Sequence, residues 1–492
     1  MEGNDVCQAA RSRKAAVIMR NTKIICTIGP ASNNEDTIRG LFKAGMNAGR
    51  FNFSHGTYDE HERNIALFRK VRDELGLPGA VLLDTKGPEI RIKTFKNGHV
   101  EVKDGQKFTI TTEDIVGDET HVSITYSRFA QEVNKGVHVL IDDGKIVMRV
   151  DAVDHGEVQL TVLHGGQLSD HKGVNIPNAE LSLPFMSDRD KSDLLFGIEQ
   201  GVDYVAASFV RTAEDVKEMR HFLEVNGGKD IQIIAKIESI QGVKNFEAIL
   251  KEVDGIMIAR GDMGVEIAFE KLPGIQKRII RRCVQSGKIV ITATQMLESM
   301  IFSPLPTRAE ITDVANAVYE GTSAVMLSGE TAAGEFPVET VEAMSRIACQ
   351  AEDDKRRSYA AQNEQIWHEM DTKDITNAVG HAASVLAHDI EAKCIFAITQ
   401  TGFTARRMAK FQPDIPIIGA TPDEKTFHQL ALVWGVQPLR AEQKSRLTEL
   451  YRHCVDQALS RRLISEGSLV VLTAGVPIGR AGDTNIIRVM YA

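Results

Sequence analysis

Two short segments of the sequence end in charged residues that could carry chemistry. Residues 231–238 run through apolar positions to Lys236 and Glu238, and residues 255–262 run in the same way to Asp262. A buried charge without a partner costs several kcal/mol, so we expect these side chains to meet where the two strands end. Carboxylate oxygens are the ligands that Mg²⁺ and Mn²⁺ prefer, and a neighbouring lysine suits an anionic substrate. Glu238 and Asp262, with Lys236 nearby, therefore predict a divalent-metal site. A structural ion-pair network is the alternative.

The elements that must position these residues form a repeating strand–helix pattern. Helical segments alternate with eight apolar, strand-like segments at residues 22–28, 48–54, 80–84, 204–210, 231–238, 255–262, 289–294 and 324–328. Eight strands separated by helices predict a closed parallel (β/α)8 TIM barrel over residues 21–87 and 185–352. The functional site of such a barrel lies at the carboxyl ends of its strands.

One connection in this pattern, between the third and fourth strands, is far longer than the others. The inserted residues 88–184 contain alternating β-type runs separated by Asp-Gly and Gly-Gly turns. Such runs predict a small all-β domain. Because the insertion leaves the barrel at the end of a strand, we expect it to cover the barrel mouth as a lid.

The two ends of the chain lie outside the barrel pattern. A charged run at residues 352–357 is interpreted as a break, after which strands and helices alternate again over residues 353–492. This second pattern predicts an open C-terminal α/β domain. Residues 1–20 precede the first strand and are interpreted as an N-terminal arm.

Composition excludes several functional classes. The chain has 492 residues, of which 43% are hydrophobic and 25% charged, as in ordinary globular proteins. Its net charge of −9 argues against a nucleic-acid partner. No apolar run approaches the ~20 residues that span a bilayer. The six cysteines have no metal-binding spacing, which predicts a reduced, cytoplasmic protein.

Polar residues follow nearly every predicted barrel strand. Positive charge suited to phosphate groups comes from Arg50, Arg91 and Lys236. Oxygens that predict a cage for a monovalent cation belong to Asn52, Ser54, Asp84 and Thr85. The sequence has no Walker motif and no G-x-G-x-x-G motif. A nucleotide at this rim would therefore be held by metal ions and basic side chains.

Several longer motifs resemble those of one enzyme family. They are NTKI (21–24), NFSHG (52–56), DTKGPEIR (84–91), RGDMG (260–264), ATQMLESM (293–300), PTRAE (306–310) and MLSGET (326–331). From about Asn21 to the C-terminus the chain resembles the pyruvate kinase family. The resemblance implies a glycolytic phosphotransferase that moves the phosphoryl group of phosphoenolpyruvate to ADP, giving pyruvate and ATP. It also implies a homotetramer.

The resemblance implies roles for individual residues at the rim. Contacts to the substrate are implied for Arg50, Lys236, Gly261, Asp262 and Thr294. The implied ligands of Mg²⁺ (or Mn²⁺) are Glu238 and Asp262, and those of K⁺ are Asn52, Ser54, Asp84 and Thr85. Contacts to the nucleotide are implied for Asn52, His55, Arg91 and the lid residue Lys172.

Phosphoryl transfer is catalysed chiefly by positioning and by charge neutralisation. Lys236 lies two residues before Glu238 on one strand face, so it is placed to stabilise the leaving enolate. Thr294 and Ser328 are candidates for the path of the proton to the enolate; alternatively, their hydroxyls cap the helices that follow. Glu89 stands where K⁺-independent relatives tend to carry lysine, which favours K⁺ use unless Glu89 only pairs with a neighbouring Arg or Lys.

The C-terminal domain contains a candidate anion site. Residues 399–404 follow a strand and open a helix, so backbone N–H groups and hydroxyls can face one point. The residues concerned are Thr399, Thr401, Gly402 and Thr404. A loop at residues 475–482 could close over them. In the resembled family this domain binds an allosteric sugar phosphate; a threonine-capped helix without a ligand is the alternative.

Two other functions compete with the kinase. A Mg²⁺-dependent lyase or aldolase acting through a pyruvate enolate would use the same metal pair, but it would need neither Lys172 nor the C-terminal domain. A non-catalytic, metabolite-sensing barrel would be expected to have lost the polar strand ends, which are intact. ATP formation from phosphoenolpyruvate and ADP would select the kinase.

Overall fold

The first three strands of a barrel precede the insertion. The computed structural model describes residues 20–177, 179, 181–358, 374–477 and 484–492, so residues 1–19 of the predicted arm lie outside the described residues. The first elements are β1 (Lys23–Thr27), α1 (Glu35–Ala44), β2 (Ala48–Asn52), α2 (Tyr58–Leu75) and β3 (Ala80–Asp84). Every residue of β1 and β3 is buried, as expected for parallel strands covered on both faces.

The inserted residues form two small sheets. Their elements are β4 (His99–Val102), β5 (Lys107–Thr111), β6 (His121–Ser123), α3 (Phe129–Glu132), β7 (His138–Ile141), β8 (Ile146–Asp154), β9 (Glu157–His164), β10 (Gly166–Ser169) and β11 (Val174–Asn175). The larger sheet has the order β11-β7-β8-β9-β5-β6, and β10 pairs with β4. Alternate residues of β9 are buried in a hydrophobic core separate from that of the barrel. The predicted all-β lid is confirmed.

Five further strands complete the barrel. They are β12 (Tyr204–Ala207), β13 (Gln232–Ile237), β14 (Gly255–Ala259), β15 (Ile289–Ala293) and β16 (Ala324–Leu327). The helices around them are α4 (Asp188–Glu199), α5 (Ala213–Val225), α6 (Ile240–Lys244), α7 (Phe246–Glu252), α8 (Arg260–Glu266), α9 (Leu272–Ser286), α10 (Arg308–Glu320) and α11 (Gly329–Ala332). The strands close in the order β1-β16-β15-β14-β13-β12-β3-β2, all in parallel. This confirms the predicted TIM barrel interrupted after its third strand.

Several barrel helices begin with the same side-chain arrangement. The capping residue accepts a hydrogen bond from the backbone N–H three residues later, and the carboxylate at that later position binds the capping backbone in return. The capping residues are Thr57, Ser187, Thr212 and Thr307. Because such a box satisfies two backbone donors, it fixes where each helix starts and hence where the loop before it ends.

The C-terminal domain is an open α/β sheet. The elements that lead to it and form it are α12 (Pro337–Ser358), α13 (Ile375–Asp389), β17 (Cys394–Ile398), α14 (Phe403–Ala409), β18 (Ile417–Thr421), α15 (Glu424–Gln429), β19 (Val436–Arg440), α16 (Leu447–Ser460), β20 (Leu469–Ala474) and β21 (Ile486–Tyr491). The sheet has the order β19-β18-β17-β20-β21, with β21 antiparallel to β20. Short 3₁₀ helices occur at Phe269–Lys271, Glu298–Ile301 and Leu430–Leu432. No helix among the described residues has both the length and the apolar character needed to cross a membrane.

The sequence pattern had indicated a break at the charged run of residues 352–357. The structure shows instead that secondary structure continues through it. It forms the end of α12, whose last turn carries Lys355, Arg356 and Arg357. Basic residues there face the negative end of the helix dipole, which favours continuing the helix to this point. The sequence analysis also missed β19, α15 and α16.

The amino-terminal face of the barrel packs against the C-terminal domain. Tyr204 from the barrel and Val436 from the C-terminal domain belong to one hydrophobic cluster. Tyr204 donates a hydrogen bond to the carbonyl of Gln429 at 2.7 Å, and Lys23 Nζ donates to the carbonyl of Val436 at 2.7 Å. Burial lowers the pKa of Lys23 to about 7. The two domains are therefore joined by buried polar contacts as well as by apolar packing.

Glu352, within the charged run, attaches α12 to the start of the first strand. Its buried carboxylate accepts the backbone N–H of Asn21 at 2.9 Å and that of Thr22 at 2.7 Å. Those donors stand just before β1. A buried backbone N–H without an acceptor is costly, so this one side chain stabilises the entry of the chain into the barrel.

We expect Glu352→Ala to lower the free energy of unfolding by about 2–4 kcal/mol, because it leaves one buried and one partly buried N–H group without their acceptor. Asp353→Ala is the matched control, since Asp353 pairs only with Arg356 among the contacts seen here and that pair is partly exposed. The control is expected to cost less than about 1 kcal/mol. Urea denaturation followed by circular dichroism measures both. Equal losses in the two variants would contradict this role of Glu352.

Candidate active site

Lys236 lies at the centre of the charged rim. Its ammonium is 2.9 Å from Glu238 Oε1, 3.2 Å from Asp84 Oδ1 and 2.8 Å from Ser208 Oγ. These partners come from the ends of β13, β3 and β12. Burial alone would lower the pKa of Lys236, but Asp84 and Glu238 outweigh burial and the pKa is raised. The lysine is therefore a fixed positive charge.

Asp84 connects Lys236 to a second cation. Arg50 Nε donates to Asp84 Oδ2 at 2.6 Å, and Arg50 Nη1 donates to Thr27 Oγ1 at 3.0 Å. Burial would raise the pKa of Asp84, but Lys236 and Arg50 outweigh it, so the pKa is lowered. One buried carboxylate thus brings together two of the three cationic side chains that the sequence analysis found suited to phosphate groups.

The oxygens of the predicted monovalent-cation cage lie on neighbouring strand ends, and those of Asn52, Asp84 and Thr85 already have partners. Asn52 Oδ1 accepts the N–H of Ser54 at 3.1 Å, and Thr85 Oγ1 accepts the N–H of Ser208 at 3.1 Å. The carboxylate of Asp84 binds the two cations described above. An amide or hydroxyl oxygen has a second lone pair, so the neutral members of the cage retain capacity for an ion.

The two predicted metal ligands stand at the ends of adjacent strands. Glu238 follows β13, and Asp262 lies in the first turn of α8 after β14. Burial raises the pKa of Glu238 to about 7; Lys236 opposes the rise and Asp262 adds to it. A cation bound between the two carboxylates would remove their mutual repulsion.

This pair of carboxylates fits Mg²⁺ or Mn²⁺. In phosphoryl-transfer sites Mg²⁺ is bound through one or two carboxylates, with water and substrate phosphates as the other ligands. Among the described residues, no group of three or more His, Cys, Asp or Glu side chains is arranged to hold a metal. A divalent ion here would therefore depend on the substrate to complete its ligands.

Gly261 and Thr294, predicted to contact the substrate, contact each other. Thr294 Oγ1 accepts the N–H of Gly261 at 2.8 Å and donates to the carbonyl of Ala293 at 2.6 Å. Thr294 has φ +66°, which is rare for a β-branched residue. Arg260 Nη2 donates to the carbonyl of Thr294 at 2.7 Å and holds this conformation. Such strain is typical of sites where a side chain has to point in one direction.

The helix-capping alternative for the two candidate proton donors is wrong. Ser328 precedes α11, but its side chain makes no capping hydrogen bond; its backbone N–H instead donates to Glu330 Oε2 at 2.7 Å. The Thr294 hydroxyl accepts a hydrogen bond from the first turn of α8, which follows the neighbouring strand β14. It does not cap a helix that follows its own strand, β15. Both hydroxyls stand at the carboxyl ends of barrel strands.

Two of the four predicted nucleotide-binding side chains, Arg91 and Lys172, line a cleft between lid and barrel, whereas Asn52 and His55 do not. The cleft has a volume of about 490 Å³ and includes Arg91, Lys172 and Asp262 on its walls. Lys172 Nζ is 2.9 Å from Asp142 Oδ1. Arg91 Nη1 donates to the carbonyl of His171 at 2.7 Å. Two basic side chains thus face the cleft, each held by a lid residue.

Of two further predicted residues, Glu89 lines this cleft and His55 does not. His55 is exposed on the loop after β2, and its carbonyl lies 2.9 Å from His61 Nε2. Glu89 pairs with Arg91 at 2.8 Å and with Lys86 at 3.4 Å. Glu89 therefore pairs with a neighbouring Arg and Lys, as the alternative interpretation expected. Whether Glu89 also favours K⁺ use stays a prediction.

Three residues of the site were missed by the sequence analysis. Ser208 and Phe209 follow β12, and Asp142 holds Lys172 in the lid. The signal for Ser208 was available, because it is a polar residue directly after an apolar strand, as at the other strand ends. No spacing rule pointed to Asp142, which is far from Lys172 in the sequence.

The candidate effector segment is only partly assembled as predicted. α14 begins after Gly402, which has φ +79° and gives no side-chain cap. Thr404 Oγ1 bonds to Thr484 Oγ1 at 2.9 Å, Thr399 is buried, and Thr401 is exposed. The hydroxyls therefore do not face one point. Residues 478–482 of the loop predicted to close over them lie outside the described residues.

Two family models match the chain. The model described as pyruvate kinase, barrel domain, matches residues 19–341, and the model described as pyruvate kinase, alpha/beta domain, matches residues 377–490. Together they span both the barrel with its lid and the C-terminal sheet.

Individual relatives agree with these models. The chain is 47% identical to pyruvate kinase of Clostridium acetobutylicum, covering 96% of this chain and 99% of the relative. It is 47% identical to pyruvate kinase of Geobacillus stearothermophilus, covering 96% of this chain and 80% of the relative. A crystal structure of a pyruvate kinase from Cryptosporidium parvum superposes with a TM-score of 0.91 at 37% identity, covering 96% of each chain.

Proposed function

The chain belongs to the pyruvate kinase family, and we propose that the rim around Lys236 is where it transfers the phosphoryl group of phosphoenolpyruvate to ADP. The family makes it a phosphotransferase of glycolysis that yields pyruvate and ATP. The observation that carries the assignment of the site is the buried ammonium of Lys236 between Asp84 and Glu238.

Arg50 and Lys236 are assigned to the substrate phosphate and to the oxygen of the leaving enolate. Phosphoryl transfer passes through a loose transition state, so catalysis comes mainly from charges fixed in place beforehand. Asp84 fixes both cations through short contacts in a site from which water is largely excluded. Neither charge has to be reoriented when negative charge develops on the substrate.

Glu238 and Asp262 are assigned to Mg²⁺ or Mn²⁺. The ion, when bound, supplies positive charge next to the phosphate and carboxylate oxygens of the substrate. Gly261 N–H and the Thr294 hydroxyl are assigned to the substrate carboxylate. On binding it, they would give up the hydrogen bond between them and donate to the carboxylate oxygens instead. Thr294 and Ser328 are also assigned to the path of the proton that converts enolate to pyruvate.

Arg91, Lys172 and His55, with Asn52, are assigned to ADP and ATP. In support, Arg91 and Lys172 face the cleft between lid and barrel. Their present partners, Glu89 and Asp142, are carboxylates, and nucleotide phosphates offer the same charge to the same side chains.

We further propose that the chain acts as a homotetramer in the cytoplasm. We also propose domain limits at residues 21–87 with 185–352 for the barrel, 88–184 for the lid and 353–492 for the C-terminal domain, after an arm at 1–20. The separate sheets support the division into three domains, and α12 continues across the limit at residue 353.

Lys236→Met should lower kcat by roughly 10³-fold or more, with little change in KM for phosphoenolpyruvate. The reason is that the ammonium acts mainly on charge that develops in the transition state. Steady-state kinetics coupled to pyruvate formation measure both constants. A folded variant with wild-type kcat would exclude Lys236 from the mechanism.

K⁺ is proposed as a second cofactor, held by the oxygens of Asn52, Ser54, Asp84 and Thr85. The phosphates of both substrates enter a cleft that excludes water, where each additional positive charge lowers the barrier. We expect activity in tetramethylammonium to be at least about tenfold lower than in K⁺ at equal ionic strength.

The variant Glu89→Lys should lose less activity without K⁺, because its ammonium can take the place of the ion. Glu89→Gln is the matched control, since it removes the same carboxylate without adding a charge, and it should stay K⁺-dependent. Wild-type rates that are equal in the two salts would exclude the K⁺ proposal.

A phosphorylated effector is proposed to bind at residues 399–404, where Thr401 is exposed at the start of α14. Calorimetry with a panel of sugar phosphates and nucleoside monophosphates should find one ligand. Thr401→Glu should weaken it at least about tenfold through repulsion between like charges. Ser460→Glu adds the same charge elsewhere in the domain and should have no effect. Failure of every compound to bind would contradict this proposal.

A further inference from the structure

The turn that follows β12 contacts both Lys236 in β13 and Glu238, which follows that strand. We infer that Ser208 is a positioning residue: its hydroxyl sets the direction of the Lys236 ammonium, and the same turn sets the carboxylate of Glu238. The inference rests on the function proposed for Lys236.

Ser208 completes the set of partners around the ammonium. Lysine has three N–H donors, and Lys236 has three oxygens within reach, on Asp84, Glu238 and Ser208. The shortest of the three contacts, 2.8 Å, is to the hydroxyl of Ser208. With the hydroxyl of Ser208 as third acceptor, every N–H donor of the ammonium has a partner, and the ammonium is restrained from shifting towards either carboxylate.

The hydroxyl of Ser208 is itself held in one orientation. It donates to the carbonyl of Thr85 at 2.6 Å, a closer acceptor than Asp84 Oδ1 at 3.3 Å, and the N–H of Ser208 donates to Thr85 Oγ1 at 3.1 Å. Ser208 is 2% exposed. Because its single hydrogen is directed to Thr85, a lone pair of the oxygen is left to face Lys236.

The next residue holds the second oxygen of Glu238. The N–H of Phe209 donates to Glu238 Oε2 at 2.5 Å, which leaves Oε1 to Lys236. Phe209 has φ +54°, a left-handed conformation that bulky residues rarely adopt. The turn therefore keeps a strained backbone that directs one N–H at the carboxylate.

A neutral partner has a physical advantage at this position. A third carboxylate would add negative charge to a site that has to bind an anionic substrate, whereas a hydroxyl directs the ammonium without adding charge. Ser208 should therefore affect the rate of the chemical step more than the binding of the substrate.

A double-mutant cycle tests this inference in the full-length protein. Ser208→Ala should lower kcat by about 10- to 100-fold, with KM for phosphoenolpyruvate within about threefold of wild type. In the Lys236→Met background the same substitution should change kcat by less than about twofold, because the lysine through which it acts is missing. Ser208→Thr, which keeps the hydroxyl, should recover most of the activity.

Ser384→Ala is the control for burial alone. Ser384 is 2% exposed and donates to a backbone carbonyl at 3.0 Å in the C-terminal domain, so it should leave kcat unchanged. Thermal unfolding of every variant identifies any that fails to fold. Equal loss from Ser208→Ala in both backgrounds, or unchanged kcat in the single variant, would overturn the inference. A wild-type kcat in Lys236→Met would instead overturn the function proposed for Lys236.

Discussion

The structure of the rim depends on one constraint: charged side chains are buried together where strands from distant parts of the sequence end. Arg50, Asp84, Lys236 and Glu238 are nearly or fully removed from water. Removing any one of them would leave its partner as an uncompensated buried charge, which costs several kcal/mol. The closed barrel is what makes this arrangement possible, since β2, β3 and β13 present their carboxyl ends to the same mouth.

The balance of charge within this group has consequences for binding. Arg50 and Lys236 are neutralised by Asp84 and Glu238 before any substrate arrives, and burial raises the pKa of Glu238 to about 7. An anionic substrate would therefore meet a site with little net charge. It needs accompanying cations, and the oxygens of Glu238 and Asp262 are placed to accept one. Substrate and cations are thus expected to stabilise each other in the cleft.

Much of this could be predicted from the sequence, because apolar runs that end in polar residues mark the strand ends of a parallel barrel. The pairing of Arg50 with Lys236 through Asp84 could not be predicted, since it depends on barrel closure between residues far apart. Ser208 was missed although the same rule applies to it. The helical end of α12 was missed because a run of charges was taken as a linker, while Glu352 is buried against backbone donors.

Strand β12 connects the C-terminal domain to the candidate active site. At its first residue, Tyr204 donates to the carbonyl of Gln429 in the C-terminal domain. Directly after its last residue, Ser208 accepts a hydrogen bond from Lys236 in the active site. A parallel strand in a closed barrel cannot slide without breaking the ladders on both sides, so it moves as one unit. One short strand therefore carries both a contact to the C-terminal domain and a contact to Lys236.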